Sequence, residues 1–233
     1  MVRQSISKEL FYADPGLTGY QEAWDLQKSL HSLRYEGKIK DTFIMLEHPH
    51  TYTLGKTADK NNLIGSDEFL RDREIKVFEI DRGGDITYHG PGQIVGYPII
   101  NLQDWKPDTH LYLRTLEQVI IDVLKDYGIE SGRKPEYTGV WVGESKIAAI
   151  GIKISRWITM HGFAFNINTD LDLFNGIIPC GIKEKEVTSL KKLLNKEINI
   201  GEVKAKLLLR FMEHFNFTEK QEINIYQLVQ LKT

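Results

Sequence analysis

Arg82-Gly83-Gly84-Asp85-Ile86-Thr87-Tyr88-His89-Gly90-Pro91-Gly92-Gln93 packs four glycines and a proline into twelve residues. The Gly83-Gly84 pair permits positive φ and leaves no Cβ between backbone and ligand. Gly90-Pro91-Gly92 predicts a tight, stiff turn. Before it, Lys76-Val77-Phe78-Glu79-Ile80 alternates like a half-buried strand. After it, Ile94 to Ile100 reads as a second strand. A polar, glycine-rich loop is therefore expected between two sheet strands. Gly and Pro dominate all turns, so a plain β–β connection is one reading. Arg82, Asp85, Thr87, Tyr88 and His89 offer more hydrogen-bonding groups than a simple turn requires, and loops commonly carry function.

The chain has 233 residues, enough to bury a full core. Its 41% hydrophobic and 27% charged residues are those of a soluble globular protein. Thirty basic residues against 32 acidic ones give a net charge of −2. No bulk field points to nucleic acid or an anionic membrane. A single cysteine excludes an internal disulfide and a thiolate-pair zinc site. It fits a reducing compartment such as the cytoplasm. Leu10-Phe11-Tyr12 is soon followed by Asp14 and Pro15, so no signal-peptide core is expected. Asp122 interrupts the longest apolar helix candidate, and no bilayer span is expected.

Lys8 to Tyr12 reads as a short edge strand, and Asp14-Pro15 as a helix start. Leu17, Tyr20, Trp24, Gln27, Leu30 and Arg34 then follow at helical spacing, with Gly37 past the end. Thr42 to Glu47 reads as a buried strand; His48-Pro49-His50 turns the chain, and Thr51 to Leu54 runs back. His48 and His50, at i and i+2, suit a metal only with a third ligand that the sequence does not identify. Ser66 to Arg73 is a short helix. Asp108 caps a long one, with Leu113, Leu116, Ile120, Val123, Leu124 and Tyr127 on one face and Gly128 at its end. Thr138 to Val142 and Lys146 to Ile154 form a hairpin with a three-residue loop, and Trp157 to Asn168 adds a further arm. The pattern turns irregular from Leu171, and a last helix spans about Gly201 to Phe215. These signals predict an α+β fold: a mixed, largely antiparallel sheet flanked by helices. One domain over residues 1–233 is expected, with about 187–233 as a helical C-terminal extension packed on it.

Two further residues carry chemistry. Cys180 lies in a loop between Pro179 and Gly181. A lone cysteine is often a small buried hydrophobe. Pinned between Pro and Gly with little steric cover, it equally suits a nucleophile. Lys146 opens an otherwise apolar strand, on one face with Ala148, Ile150, Ile152 and Ile154. It either snorkels to water or sits in an apolar site, where it can exchange a proton with a cysteine.

The stretch from Arg82 through Pro98 resembles the signature of the octanoyltransferase family (lipoyl(octanoyl) transferase, lipoate-protein ligase B). Three further segments match that family in order. They are Gly139-Val140-Trp141-Val142 with Lys146 to Ile152, then His161 to Asn166, then Ile178-Pro179-Cys180-Gly181-Ile182. Four ordered motifs are far more specific than any one alone. The resemblance covers roughly Thr42 to Leu190; Ile94 and Phe165 are mild variants of aliphatic positions.

The resemblance implies a fold similar to the catalytic domain of biotin and lipoate protein ligases. It implies octanoyl-acyl carrier protein as acyl donor. The acceptor is a specific lysine on lipoyl domains, those of 2-oxo-acid dehydrogenase E2 subunits or of the glycine-cleavage H protein. It implies Cys180 as the acyl-thioester nucleophile and Lys146 as its proton partner. Substrate contacts carry over to Arg82, Gly83, Gly84, Asp85, Ile86, Thr87, Tyr88 and His89, to Ala149, Ile150 and Gly151, and to Gly162, Phe163 and Ala164. Thioester exchange followed by amide formation needs neither ATP nor a metal, and no cofactor is expected. Backbone N–H groups near Gly151 or the glycine loop are candidate oxyanion donors, and Ile147 to Ile154 with Phe163 suit an acyl tunnel. Rival readings are an ATP-dependent lipoate or biotin ligase, a lipoyl amidotransferase and a non-catalytic acyl-binding module.

Overall fold

The computed structural model describes residues 8–178 and 186–232. The strands are β1 (Glu9–Leu17), β2 (Thr42–Glu47), β3 (Thr51–Leu54), β4 (Lys76–Glu79), β5 (Ile86–His89), β6 (Gln93–Ile99), β7 (Gly132–Lys134), β8 (Tyr137–Val142), β9 (Ser145–Ser155), β10 (Ile158–Asn166) and β11 (Glu219–Glu222). The helices are α1 (Tyr20–Tyr35), α2 (Asp67–Asp72), α3 (Thr109–Asp126), α4 (Leu190–Leu194), α5 (Ile200–Phe215) and α6 (Ile225–Lys232). Eight strands form one sheet in the order β11-β1-β2-β6-β10-β9-β8-β7. The pairs of β1 with β11 and β2 are parallel, and the other pairs are antiparallel. The α+β class expected from the hairpin signals is therefore the observed one.

Helices cover both faces. α3 and α5 bury Leu116, Ile120, Val123, Leu207 and Phe211 on one side, against Phe43, Ile147 and Phe165. α1 and α6 bury Leu26, Leu30, Leu33 and Ile225 on the other, against Ile44, Val95 and Met160. The Asp108 carboxylate caps α3 by accepting the Leu111 N–H at 2.9 Å, as expected of Asp at that position.

Several boundaries differ from the sequence expectation. β1 is an interior strand, because β11 pairs outside it. Asp14-Pro15 starts no helix: β1 runs on to Leu17 through a bulge between Ala13 and Gly16. Asp14 Oδ1 accepts the Gly16 N–H, and Gly16 takes φ +71°. Pairing with β2 beyond the bulge outweighs local capping, and Pro15 sits where no ladder donor is needed. Leu17, expected to pack, is exposed. The β8–β9 turn is the two residues Gly143-Glu144, since Val142 pairs with Ser145.

β3 does not run back along β2. It enters a second sheet, β4-β3-β5, parallel to β4 and antiparallel to β5. A third of the expected glycine loop, Ile86–His89, is thus strand β5. Tyr52, Ile86, Tyr88 and Phe174 fill the core under this small sheet. Beyond Val187, α5 packs on α3, and β11 completes the edge of the main sheet, so α5 is followed by further structure.

Candidate active site

The two sheets meet over a cavity of about 570 Å³. Its floor is β9 and β10, with Ala149, Ile150, Gly151, Gly162, Phe163 and Ala164. Its roof is the glycine-rich stretch, with Arg82 to Thr87 and His89. All the expected contact residues line it except Tyr88. Strand alternation sends Tyr88 to the opposite face from Thr87 and His89. Its ring packs on Tyr52 and Phe174, and its hydroxyl bonds His50 Nδ1 at 2.8 Å.

Missing side chains allow the close approach of roof and floor. A Cβ on Gly151 would come within 2.8 Å of Arg82 Cδ and 2.9 Å of the Gly83 carbonyl. The Gly83 N–H donates to the Ile152 carbonyl at 3.0 Å and so is committed to the scaffold rather than to an oxyanion. Arg82 is buried. Its Nη2 donates at 2.9 Å to both the carbonyl and Oγ1 of Thr53. Thr53 Oγ1 also donates to His89 Nε2 at 3.2 Å, while His89 Nδ1–H donates to Gln93 Oε1 at 2.9 Å. Both ring nitrogens of His89 are thereby used in holding the roof. Burial, aided by repulsion from His48, drives its pKa far below the usual histidine range.

Two more histidines are buried nearby. His48 donates through Nδ1 to the Thr18 carbonyl at 2.7 Å and accepts from the Tyr97 hydroxyl at 2.8 Å. His161 lines the cavity and donates through Nε2 to Asp81 Oδ1 at 2.8 Å. Burial lowers both imidazoles to about 4, so both are neutral at pH 7. Burial tends to raise the Asp81 carboxyl. Lys153 and His161 overcome that and hold it at about 2. His48 and His50 are therefore scaffold residues, with ring bonds to different partners.

Lys146 lines the cavity from the start of β9 and is half-buried. Its Nζ lies 4.9 Å from the centroid of the Trp141 ring. Its N–H donates to the Glu186 carbonyl and its carbonyl accepts from the Thr188 N–H, both at 2.9 Å. Val187 of the same segment lines the cavity. Ile178 N–H donates to the Asn62 carbonyl at 2.8 Å, and Asn62 Nδ2 donates to Asp85 Oδ2 at 2.7 Å. Cys180 lies outside the described residues; in sequence it falls between Ile178 and Glu186.

One buried charge behind the site was not anticipated. Glu117 on α3 is fully buried, salt-bridged to Arg114 and Arg133 at 2.8 Å each, and accepts the Gly139 N–H at 3.1 Å. Its signal was present: it sits at i+4 from Leu113 and i−3 from Ile120, on the apolar stripe.

Residues 19–212 match the model of the lipoyl protein ligase A/B catalytic domain family. The chain belongs to this family. It is similar to the octanoyltransferase of Rubrobacter xylanophilus, with 54% identity over 201 residues, covering 85% of this chain and 90% of that one. It is 47% identical over 227 residues to the octanoyltransferase of Christiangramia forsetii, covering 90% and 97%. A crystal structure of lipoate-protein ligase A bound with ATP superposes with a TM-score of 0.72 at 16% identity, covering 97% of this chain and 94% of that one. That likeness shows a shared fold. Within the family the chain is an acyltransferase of the octanoyltransferase kind, and its chemistry is octanoyl transfer in protein lipoylation. Among the described residues no helix is long and apolar enough to cross a membrane.

Proposed function

We propose that this enzyme moves an octanoyl group from octanoyl-acyl carrier protein to a specific lysine of lipoyl domains, through a thioester on Cys180. The acceptors are lipoyl domains of 2-oxo-acid dehydrogenase E2 subunits and of the glycine-cleavage H protein. One observation carries the proposal. Lys146 lines the cavity while its backbone is bonded to the segment that leads to Cys180. On the other side of Cys180, Ile178 is bonded to Asn62, a partner of Asp85 in the roof.

In the first step the Cys180 thiolate attacks the carrier thioester carbonyl. A new C–S bond forms, the pantetheine C–S bond breaks, and Lys146 gives its proton to the departing thiolate. One thioester replaces another, so this step is near thermoneutral. In the second step the neutral amine of the acceptor lysine attacks. A C–N bond forms, the Cys180 C–S bond breaks, and Lys146 takes the proton that the amine loses. Formation of the amide draws the sequence forward without ATP.

The cavity suits an acyl chain. Its volume lies within the ~300–1,000 Å³ usual for small-molecule sites. Burying the six methylenes of an octanoyl group at about 0.8 kcal/mol each supplies roughly 5 kcal/mol toward binding. In this proposal Ala149, Ile150, Phe163 and Ala164 contact the chain, while residues 82–89 lie over the reacting end.

An ATP-free assay with octanoyl-acyl carrier protein and a purified lipoyl domain tests the proposal. The wild-type chain is expected to octanoylate the domain, and Cys180→Ala is not. Full activity in Cys180→Ala would remove the covalent route. Dependence on ATP would make the chain a ligase instead.

A further inference from the structure

The transfer steps leave Trp141 without a task, yet the local backbone is bent around it. Between β8 and β9 the register slips: Val140 faces Ala148, whereas Trp141 faces Lys146, and Ile147 is the extra residue. Such bulges re-aim side chains beside functional sites. Here the slip sets the Lys146 ammonium 4.9 Å from the centre of the buried indole, within cation–π range. Gly139 clears the space for the β9 backbone beside Lys146. A Cβ there would lie 3.5 Å from both Cδ and Cε of Lys146 and 2.5 Å from the Ala148 carbonyl. Gly139 takes φ +128° and is held by the buried Glu117 carboxylate.

We infer that Trp141 is a positioning residue for Lys146: the face of its ring holds the ammonium at the edge of the cavity, and through it governs the reactivity of the Cys180 thiol. This rests on the Cys180–Lys146 pairing proposed above. Lys134 of β7 approaches the same ring, with its Nζ 5.0 Å from the centroid, and is paired with Glu144 of the β8–β9 turn. Among the described residues, Glu136, Asp85 and Arg82 are the other charged groups lining the cavity around Lys146, apart from the Asp81-bonded His161 further along β10. Among the described residues, with Lys134 paired to Glu144, Lys146 is the cation on this ring that also lines the cavity.

Because Cys180 is the sole cysteine, the rate of alkylation by iodoacetamide reports on it alone. The rate is followed against pH for the wild type, Trp141→Phe, Trp141→Leu, Lys146→Met and the double variant Lys146→Met/Trp141→Leu. Trp141→Leu is expected to shift the profile toward that of Lys146→Met, slowing alkylation at pH 7 by about tenfold, the upper part of the cation–π range. Trp141→Phe keeps a weaker ring and is expected to lose about threefold. In the Lys146→Met background, Trp141→Leu is expected to change nothing further. An unshifted Trp141→Leu profile overturns the inference, as does an equal loss with and without Lys146. If Trp141→Leu does not fold, Trp141→Phe decides alone: no loss overturns the inference. A Lys146→Met profile identical to wild type removes the Cys180–Lys146 pairing itself, whereas a shifted one with an unshifted Trp141→Leu removes only the role of Trp141.

Discussion

Gly151 lies directly against Arg82, so close that a methyl group on the glycine would stand 2.8 Å from Arg82 Cδ and 2.9 Å from the neighbouring Gly83 carbonyl. The floor strand and the roof of the cavity are thus in backbone contact at their centre. Gly151→Ala is expected to lift the glycine-rich stretch and misplace the roof. A displacement near 1 Å lowers transfer by about 100-fold. Steady-state kinetics beside a thermal melt checks this, and activity is expected to fall far more than stability.

Thr53 is the next point of leverage. Its single hydroxyl accepts from Arg82 and donates to His89, and it is fully buried. Thr53→Val keeps the shape and leaves a buried guanidinium N–H and a ring nitrogen short of partners. The expected loss of stability is ~1–3 kcal/mol, read from urea unfolding. A raised KM for the acyl donor is expected with it, since Arg82 lines the cavity.

Three neutral buried histidines make the fold acid-sensitive. His48 and His161 have folded pKa values of about 4 against 6.5 for an open chain. The unfolded state therefore binds more protons between these limits, and stability rises with pH across them. What each contributes is fully present above pH 6.5 and is lost as pH falls toward 4, up to about 3 kcal/mol per group. Asp81, held at about 2, adds a further loss only below about pH 4. Urea midpoints measured from pH 7.5 to 4.5 are expected to fall steadily. His48→Gln, which keeps a polar partner for Tyr97, is expected to flatten the curve; a slope unchanged from wild type would count against this assignment.

Gly139 offers a test of the corner that holds Lys146. Gly139→Ala places a Cβ 2.5 Å from a backbone carbonyl at φ +128°, where L side chains are strained. A loss of ~1–3 kcal/mol is expected from the backbone alone, together with a fall in kcat as the β9 backbone that carries Lys146 shifts. Circular dichroism melts and single-turnover acylation separate the two effects.

Much of this architecture was legible because local signals and tertiary demands agree. Asp108 caps α3, Ser66 caps α2 through the Phe69 N–H, and Thr42–Glu47 is a strand buried as its apolar run indicates. The failures lie where long-range pairing prevails. Asp14-Pro15 carries a sound helix-start pattern, but the ladder to β2 extends past it. Thr51–Leu54 alternates like a hairpin return, yet nothing in it says that β5 and β4 will be its neighbours. Glu219–Glu222 is charged, polar and exposed; backbone pairing with β1 makes it a strand. In the site, the family resemblance pointed to the glycine stretch and to the Ala149-Ile150-Gly151 and Gly162-Phe163-Ala164 segments, and all of these but Tyr88 line the cavity. Tyr88 was misplaced because a loop was expected where a strand alternates its side chains. Thr53 went unseen because its partners Arg82 and His89 are distant in sequence, whereas Glu117 stood out as a charge on the apolar stripe of α3.

The most direct test of the proposed covalent route is intact mass spectrometry of the wild-type chain mixed with octanoyl-acyl carrier protein, without ATP or acceptor. A gain of one octanoyl group, mapped by proteolysis to Cys180 and discharged on adding a lipoyl domain, is the predicted result. An unmodified chain that still octanoylates the domain would contradict it.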